Sequence, residues 1–226
     1  MFRRLVLILT PVFLLLPSIA KAEEKDKKVG GKSDEITVRQ VFADLESPAL
    51  ELLTKEMRLD MLDYWDVDSV YKVSNVMDGL SWIEKKTDSY LKVHITNVSN
   101  IEIKILPEKK ENIVMTIYTV GSDPQAADSQ INFYDSTLKP IETSKHLKLP
   151  ELKDFFEIPK GSRTSMKEIR EMVPFPTIAY SVSPDLNQLT ATLTVGSYIS
   201  PDDWNIVKLF VKPDITADWK KEKFTF

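Results

Sequence analysis

Apolar side chains change their spacing partway along the chain. Between Ser47 and Trp65, Leu50, Leu53, Met57, Met61 and Tyr64 recur three or four residues apart, which places them on one helical face. Ser47 followed by Pro48 supplies a hydroxyl N-cap and a proline at the first helical position. Thr54 offers a second start, so the segment reads as one helix or a kinked pair. After Asp68 the period becomes two, and strands are predicted over residues 70–75, 80–86, 90–96, 101–106, 112–120 and 130–135. Leu91, Val93 and Ile95 alternate with polar residues, as do Ile101, Ile103 and Ile105, which predicts an antiparallel sheet with one buried and one wet face.

The C-terminal third is less regular. Ser165-Met166-Lys167-Glu168 is a capping box and predicts a short helix over residues 166–172. Residues 149–156 read as a second short helix, 177–183 and 188–195 as a hairpin, and 206–211 and 217–226 as terminal strands. Ser200-Pro201-Asp202-Asp203 predicts one helical turn carrying Trp204, with the acids placed at the positive end of the helix dipole. A short echo, Thr119-Val120-Gly121-Ser122 and Thr194-Val195-Gly196-Ser197, hints at related hairpins. The pattern as a whole predicts an α+β fold: an N-terminal helical segment packed on antiparallel β-sheet, with a smaller C-terminal helix/strand portion. A two-sheet β fold with peripheral helices is the alternative.

The first residues follow a different grammar. Arg3 and Arg4 precede an apolar run from Leu5 to Pro17, and Ala20-Lys21-Ala22 has the small-x-small form of a cleavage site. Residues 1–22 therefore read as a signal peptide, and no cysteine follows to carry a lipid anchor. Residues 23–35 hold dense mixed charge and two glycines, the composition of a flexible spacer. Residues 36–226 form the globular part, as one domain or as two lobes, 36–144 and 145–226. No later stretch reaches the ~18 apolar residues of a membrane helix, so no transmembrane segment is expected after signal cleavage. The expected location is exported, periplasmic or cell-surface associated.

Composition narrows the chemistry. The chain has no cysteine, which excludes disulfide scaffolds and thiolate metal sites. Its net charge of -4 excludes the broad basic footprint of a nucleic-acid binder. There is no G-x-S-x-G elbow, no H-E-x-x-H helix and no glycine-rich phosphate loop, so no catalytic residue, cofactor or metal is assigned. His94 falls on the polar side of an alternating strand and reads as a surface histidine; His146 lies in a polar loop.

The remaining candidates are surface residues. Asp60 and Asp63 share a helical face and continue into Asp66 and Asp68, which suits either a cation site or a solvated face paired with Lys55 and Arg58. Trp82 and Trp204, with Trp65 and Trp219, suit either a sugar-stacking surface or core packing.

Longer stretches carry a resemblance. These are Leu52-Leu53-Thr54, Arg58 to Tyr64 (RLDMLDY), Val73-Ser74-Asn75, Asp78-Gly79, Thr87 to Val93 (TDSYLKV), Ile101 to Pro107 (IEIKILP) and Ile131 to Ile141 (INFYDSTLKPI). Together they resemble an uncharacterised secreted family from Bacteroidales, domain of unknown function 3256. The resemblance is densest over residues 47–141. It implies a small exported protein of a Gram-negative envelope and carries over no activity or catalytic residue. The family's pattern often has Asn before the arginine of the helix motif, where this chain has Met57.

The function expected from these residues is a non-enzymatic exported binding or interaction protein, with a protein, peptide or glycan partner. An envelope hydrolase using Asp and Glu side chains, or a scaffold subunit of an envelope assembly, are the alternatives.

Overall fold

The computed structural model describes residues 36–65, 67, 71–121, 124 and 126–226. The residues expected to form a leader and a spacer, 1–35, and Asp66 and Asp68 lie outside the described residues. The chain opens with helix α1 (Val38–Asp44), which the periodicity argument above passes over. Its signal is present in the sequence all the same. Thr37 and Gln40 form a reciprocal capping box, and Val38, Val41, Phe42 and Leu45 are buried at helical spacing.

The next helical stretch is split. Ser47 caps a single 3-10 turn, Pro48–Leu50, and helix α2 (Lys55–Trp65) then starts afresh beside Thr54, whose hydroxyl accepts from the Met57 N–H at 3.3 Å.

Seven strands follow in an unbroken antiparallel meander: β1 (Lys72–Ser74), β2 (Leu80–Lys86), β3 (Tyr90–Thr96), β4 (Ser99–Leu106), β5 (Ile113–Val120), β6 (Asp128–Tyr134) and β7 (Pro140–Ile141). One face of this sheet meets the N-terminal helices. Phe42, Leu45, Leu53, Met61 and Leu62 pack there on Val93, Ile95, Ile101, Ile103 and Val114. The first hairpin is fixed by buried Asn75, whose Oδ1 accepts from the Met77 and Gly79 N–H groups while its Nδ2 donates to Ser81 Oγ and the Ile95 carbonyl. A Cβ at Gly79 would stand 3.0 Å from that amide, so the turn requires the small residue.

The C-terminal third covers part of the other face. After α3 (Thr143–His146) and β8 (Leu147–Lys148) come α4 (Met166–Met172), β9 (Ile178–Val182), β10 (Gln188–Leu193), α5 (Pro201–Val207), β11 (Ile215–Asp218) and β12 (Phe224–Thr225). Strands β11, β10 and β9 make a second antiparallel sheet, and β12 pairs with β8 in parallel. Met115, Ile117, Ile131 and Phe133 of the meander pack on Phe155, Tyr180, Val182 and Leu189.

The expected α+β fold, with N-terminal helices on an antiparallel sheet and a smaller helix/strand portion behind them, is therefore the fold observed. Two details differ. Residues 206–211 are not a strand, because α5 continues through Val207 before the chain turns. The face expected to be wet is dry over β4, where Glu102 is 4% exposed and Lys104 2%.

Over its described residues, 119–121 against 194–196, the echo is not a structural repeat; Ser122 lies outside the described residues. Gly121 follows a strand at a φ of 128° that leaves no room for a Cβ beside Ala127, whereas Gly196 sits within a 3-10 turn, Val195–Ser197.

Candidate functional site

Strand β9 crosses the meander over β4, β5 and β6 and brings an unpaired strand edge with it. Such an edge needs acceptors for its outward N–H groups. Side chains from the large sheet supply them. Asp128 accepts from the Ile178 N–H at 3.2 Å, Ser129 from Tyr180 at 3.0 Å and Glu102 from Val182 at 3.1 Å. The next residue in that phase is Pro184, which has no N–H, and its carbonyl instead accepts from Lys104 Nζ at 2.8 Å.

Glu102 also accepts from the Tyr90 hydroxyl at 3.0 Å. Burial pushes its carboxyl above the ordinary carboxylate range, although the Val182 N–H and the Tyr90 hydroxyl favour the charged form. Burial likewise raises the Tyr90 phenol, with the Glu102 carboxylate adding to the effect. Lys104 is drawn below its usual range by burial against the partial compensation of Asp185.

Beyond this clamp the same face of β1, β2 and the outer part of β3 is open, and a row of side chains stands on it. Register sets Lys72 opposite Trp82 and Trp82 opposite His94. Lys72 Nζ lies 4.4 Å from the indole centroid, and the His94 ring stacks on the indole at 4.3 Å with 18° between planes. A bulge between Ile83 and Lys85 shifts the register at Glu84. Glu84 Oε2 then meets His94 Nε2 at 2.6 Å, and its Oε1 accepts from Lys92 Nζ at 3.1 Å. Partial burial raises the Glu84 carboxyl, but the bonds and charges of Lys92 and His94 outweigh it, and the net shift is downward. The result is a half-exposed ledge carrying Lys72, Trp82, His94, Glu84 and Lys92, preassembled by its own contacts and bordered by the Glu102 clamp.

The other residues singled out by sequence do not gather. Asp60 is exposed on α2. Asp63 pairs with Arg39 of α1, and Lys55 pairs with Asp44 rather than with the acidic face. Arg58 is not on the surface at all: it is 9% exposed, and its Nη1 donates to the Phe42 and Leu45 carbonyls at 2.9 Å each, closing the C-terminus of α1. Trp204 is half-buried on α5 against the C-terminal core, and Trp65 packs beside the helix-side core. Trp219 donates to Glu108 at 2.7 Å and stacks near Phe133 and His146, so the four tryptophans share no surface. Among the described residues no three His, Asp or Glu side chains are grouped to hold a metal ion, and no helix is long and apolar enough to cross a membrane.

The pairing of Lys72, Trp82 and His94 is the feature sequence reasoning missed. Its signal was present: three residues at like-facing positions of adjacent predicted strands, joined only once the hairpin register is known.

Comparison with known proteins adds a family and a fold. The sequence pattern of a family described as "Protein of unknown function (DUF3256)" matches residues 32–224. A solved structure, a domain of an uncharacterized protein from Porphyromonas gingivalis W83, is 21% identical with a TM-score of 0.70 over 83% of this chain and 96% of that one. No curated protein matches.

Proposed function

From the premise that this chain belongs to the family of proteins of unknown function DUF3256, we propose that it is an exported, non-enzymatic binding protein of a Gram-negative envelope whose contact surface is the ledge on β1 to β3. The leader-like residues 1–22 support export. The observation that carries the binding reading is the indole of Trp82, held between Lys72 and His94 on open sheet. An aromatic with fixed orientation between a lysine and an imidazole presents contact area without the entropy cost of ordering it.

The same observation chooses between partners. Lys72 and His94 reach Trp82 from the strands on either side, so both indole faces are already occupied and no face is left for a sugar ring. The ledge suits a protein or peptide segment with an acidic group that reaches Lys72, and apolar contacts along the indole edge.

Titration of the full chain with a panel of acidic peptides and of envelope oligosaccharides tests this. Peptide binding lost in Lys72→Glu and in Trp82→Ala, but kept in Lys208→Glu on α5, is the expected result. Saccharide binding that depends on Trp82, or turnover of peptidase, glycosidase or esterase substrates abolished by Glu84→Gln, overturns it.

A further inference from the structure

A second place in the molecule, on the opposite side of the sheet, holds a buried guanidinium whose only charge compensation among the described residues is the longer-range influence of Asp44 and Glu56. Arg58 lines a cleft of about 410 Å3 between the end of α1, the 3-10 turn and the start of α2. Leu45, Pro48, Leu50 and Leu53 form its apolar walls, and exposed Glu46 and Glu51 stand with Ser47 around it. Arg58 is 9% exposed, and no described carboxylate lies within ion-pair distance of it. Its Nη1 is bound to two neutral carbonyls, and among the described residues its buried Nε finds no acceptor at all.

A guanidinium stays charged at any ordinary pH, and a buried one with an unmet donor is an energetic cost that a native fold rarely carries without a use. The Nε is shut off from solvent and cannot itself be reached, but the cost of the buried charge falls if an acceptor with negative charge enters the cleft that Arg58 lines. The walls ask that this acceptor ride on an aliphatic body. The two glutamates ask that its charge be small: a dianion meets twice the repulsion of a monoanion. Their repulsion is weakened by water because both are exposed, whereas the attraction of Arg58 acts through low-dielectric surroundings.

We propose that this cleft binds a monocarboxylate carried on a short aliphatic chain, with Arg58 as its charge partner. A free aliphatic acid and the C-terminal carboxylate of an apolar peptide share this chemistry. The site is independent of the Trp82 ledge.

Calorimetric titration of the full chain with hexanoate and with hexanamide, two probes of one shape, reads the charge requirement. The expected result is saturable hexanoate binding with a preference over the amide of about tenfold, the scale of one charge-assisted contact. A Leu-Leu peptide with a free C-terminus, compared with its amidated form, assigns the source: free-peptide binding tighter than hexanoate marks a reader of chain ends, and hexanoate binding alone marks a small-acid site.

Arg58→Lys should lose most of the affinity. Because Arg58 also closes α1, the double variant Glu46→Gln/Glu51→Gln gives a readout that leaves the fold alone: both positions are exposed, and removing their charge should tighten hexanoate several-fold. Equal binding of hexanoate and hexanamide, no saturation with either, or an unchanged hexanoate affinity in the glutamine double variant would overturn the proposal.

Discussion

Under α1 and α2 the sheet is closed by aliphatic and aromatic groups: Phe42, Leu45 and Leu62 lie on Val93, Ile101 and Ile103, all essentially inaccessible. Under β9 the same sheet is closed by a mixed layer, in which Met115, Ile117 and Phe133 pack conventionally while Glu102, Lys104, Asp128 and Ser129 reach up to hold a strand edge. The first contact is non-directional and scales with area. The second is directional, and each bond has a named donor and acceptor that would be left wanting if the partner were removed. One face therefore holds the fold by quantity of burial. The other fixes where the C-terminal sheet sits, and so where the open ledge around Trp82 begins.

The difference is sharpest for a substitution that removes burial alone. Phe42→Ala deletes a fully buried ring from the helix-side core. The expected loss is about 3–5 kcal/mol, read as a lower urea midpoint with an unchanged slope. Hydrogen exchange should accelerate across the whole meander, because that core is shared by β3, β4 and β5. A change confined to α1 and α2 would mean that the helices are an accessory layer and that the C-terminal face alone supports the sheet.

Glu102 breaks the comparison from the other side. Glu102→Leu keeps the burial but strips the acceptor from Tyr90 and Val182, at a cost of about 1–3 kcal/mol, with faster exchange at the Val182 amide and little change at Ile178, which Asp128 holds. Glu102→Gln keeps an acceptor oxygen and cannot ionise, so above the raised folded value its stability should match or exceed that of the wild type.

The pH dependence has a definite sign. Because the folded-state carboxyl of Glu102 titrates above its unfolded value, the native state binds more protons in the window between them, and wild-type stability falls as pH rises through that window. The gap between Glu102→Gln and wild type should therefore close as pH is lowered from neutral through the raised folded value. Glu84 acts oppositely: its lowered folded value means that its contribution is lost only as pH falls below the ordinary range through that folded value. A gap that widens on acidification would show that burial does not outweigh the Val182 and Tyr90 hydrogen bonds at the Glu102 carboxyl.

Much of this architecture is legible in the residues. The strand runs between residues 72 and 134, the capping box at Ser165, the N-cap and proline at Ser200-Pro201 and the break at Thr54 are local signals with local causes, and they appear where expected. What escapes is whatever depends on a partner far along the chain. Glu102 and Lys104 alternate with isoleucines and so read as solvent-facing, yet their partners Val182 and Pro184 lie about eighty residues away. Arg58 sits among acids on a helix and reads as their surface partner, but α1, whose end it closes, comes from outside the pattern first noticed. Trp82 reads as one of four tryptophans until register places Lys72 and His94 against it. Periodicity reports which side chains share a face; it does not report what later covers that face.

The smallest effect expected concerns the acids that stand out most in the sequence. Asp60 is exposed, and among the described residues Asp63 is engaged only by Arg39, both side chains being about half exposed to solvent. Exposed pairs of this kind contribute about 0–1 kcal/mol and are screened by salt. Asp60→Asn should leave the unfolding midpoint unchanged. Asp63→Asn should shift it by less than about 1 kcal/mol at low ionic strength, and the shift should vanish in high salt. Neither change should alter peptide binding at the ledge or hexanoate binding beside Arg58, because neither residue is among those that line the cleft or stand on the ledge. If Asp63→Asn instead weakened either ligand tenfold, the Arg39–Asp63 pair would belong to a binding site, and the boundary of the cleft or of the ledge would have to be redrawn to include it.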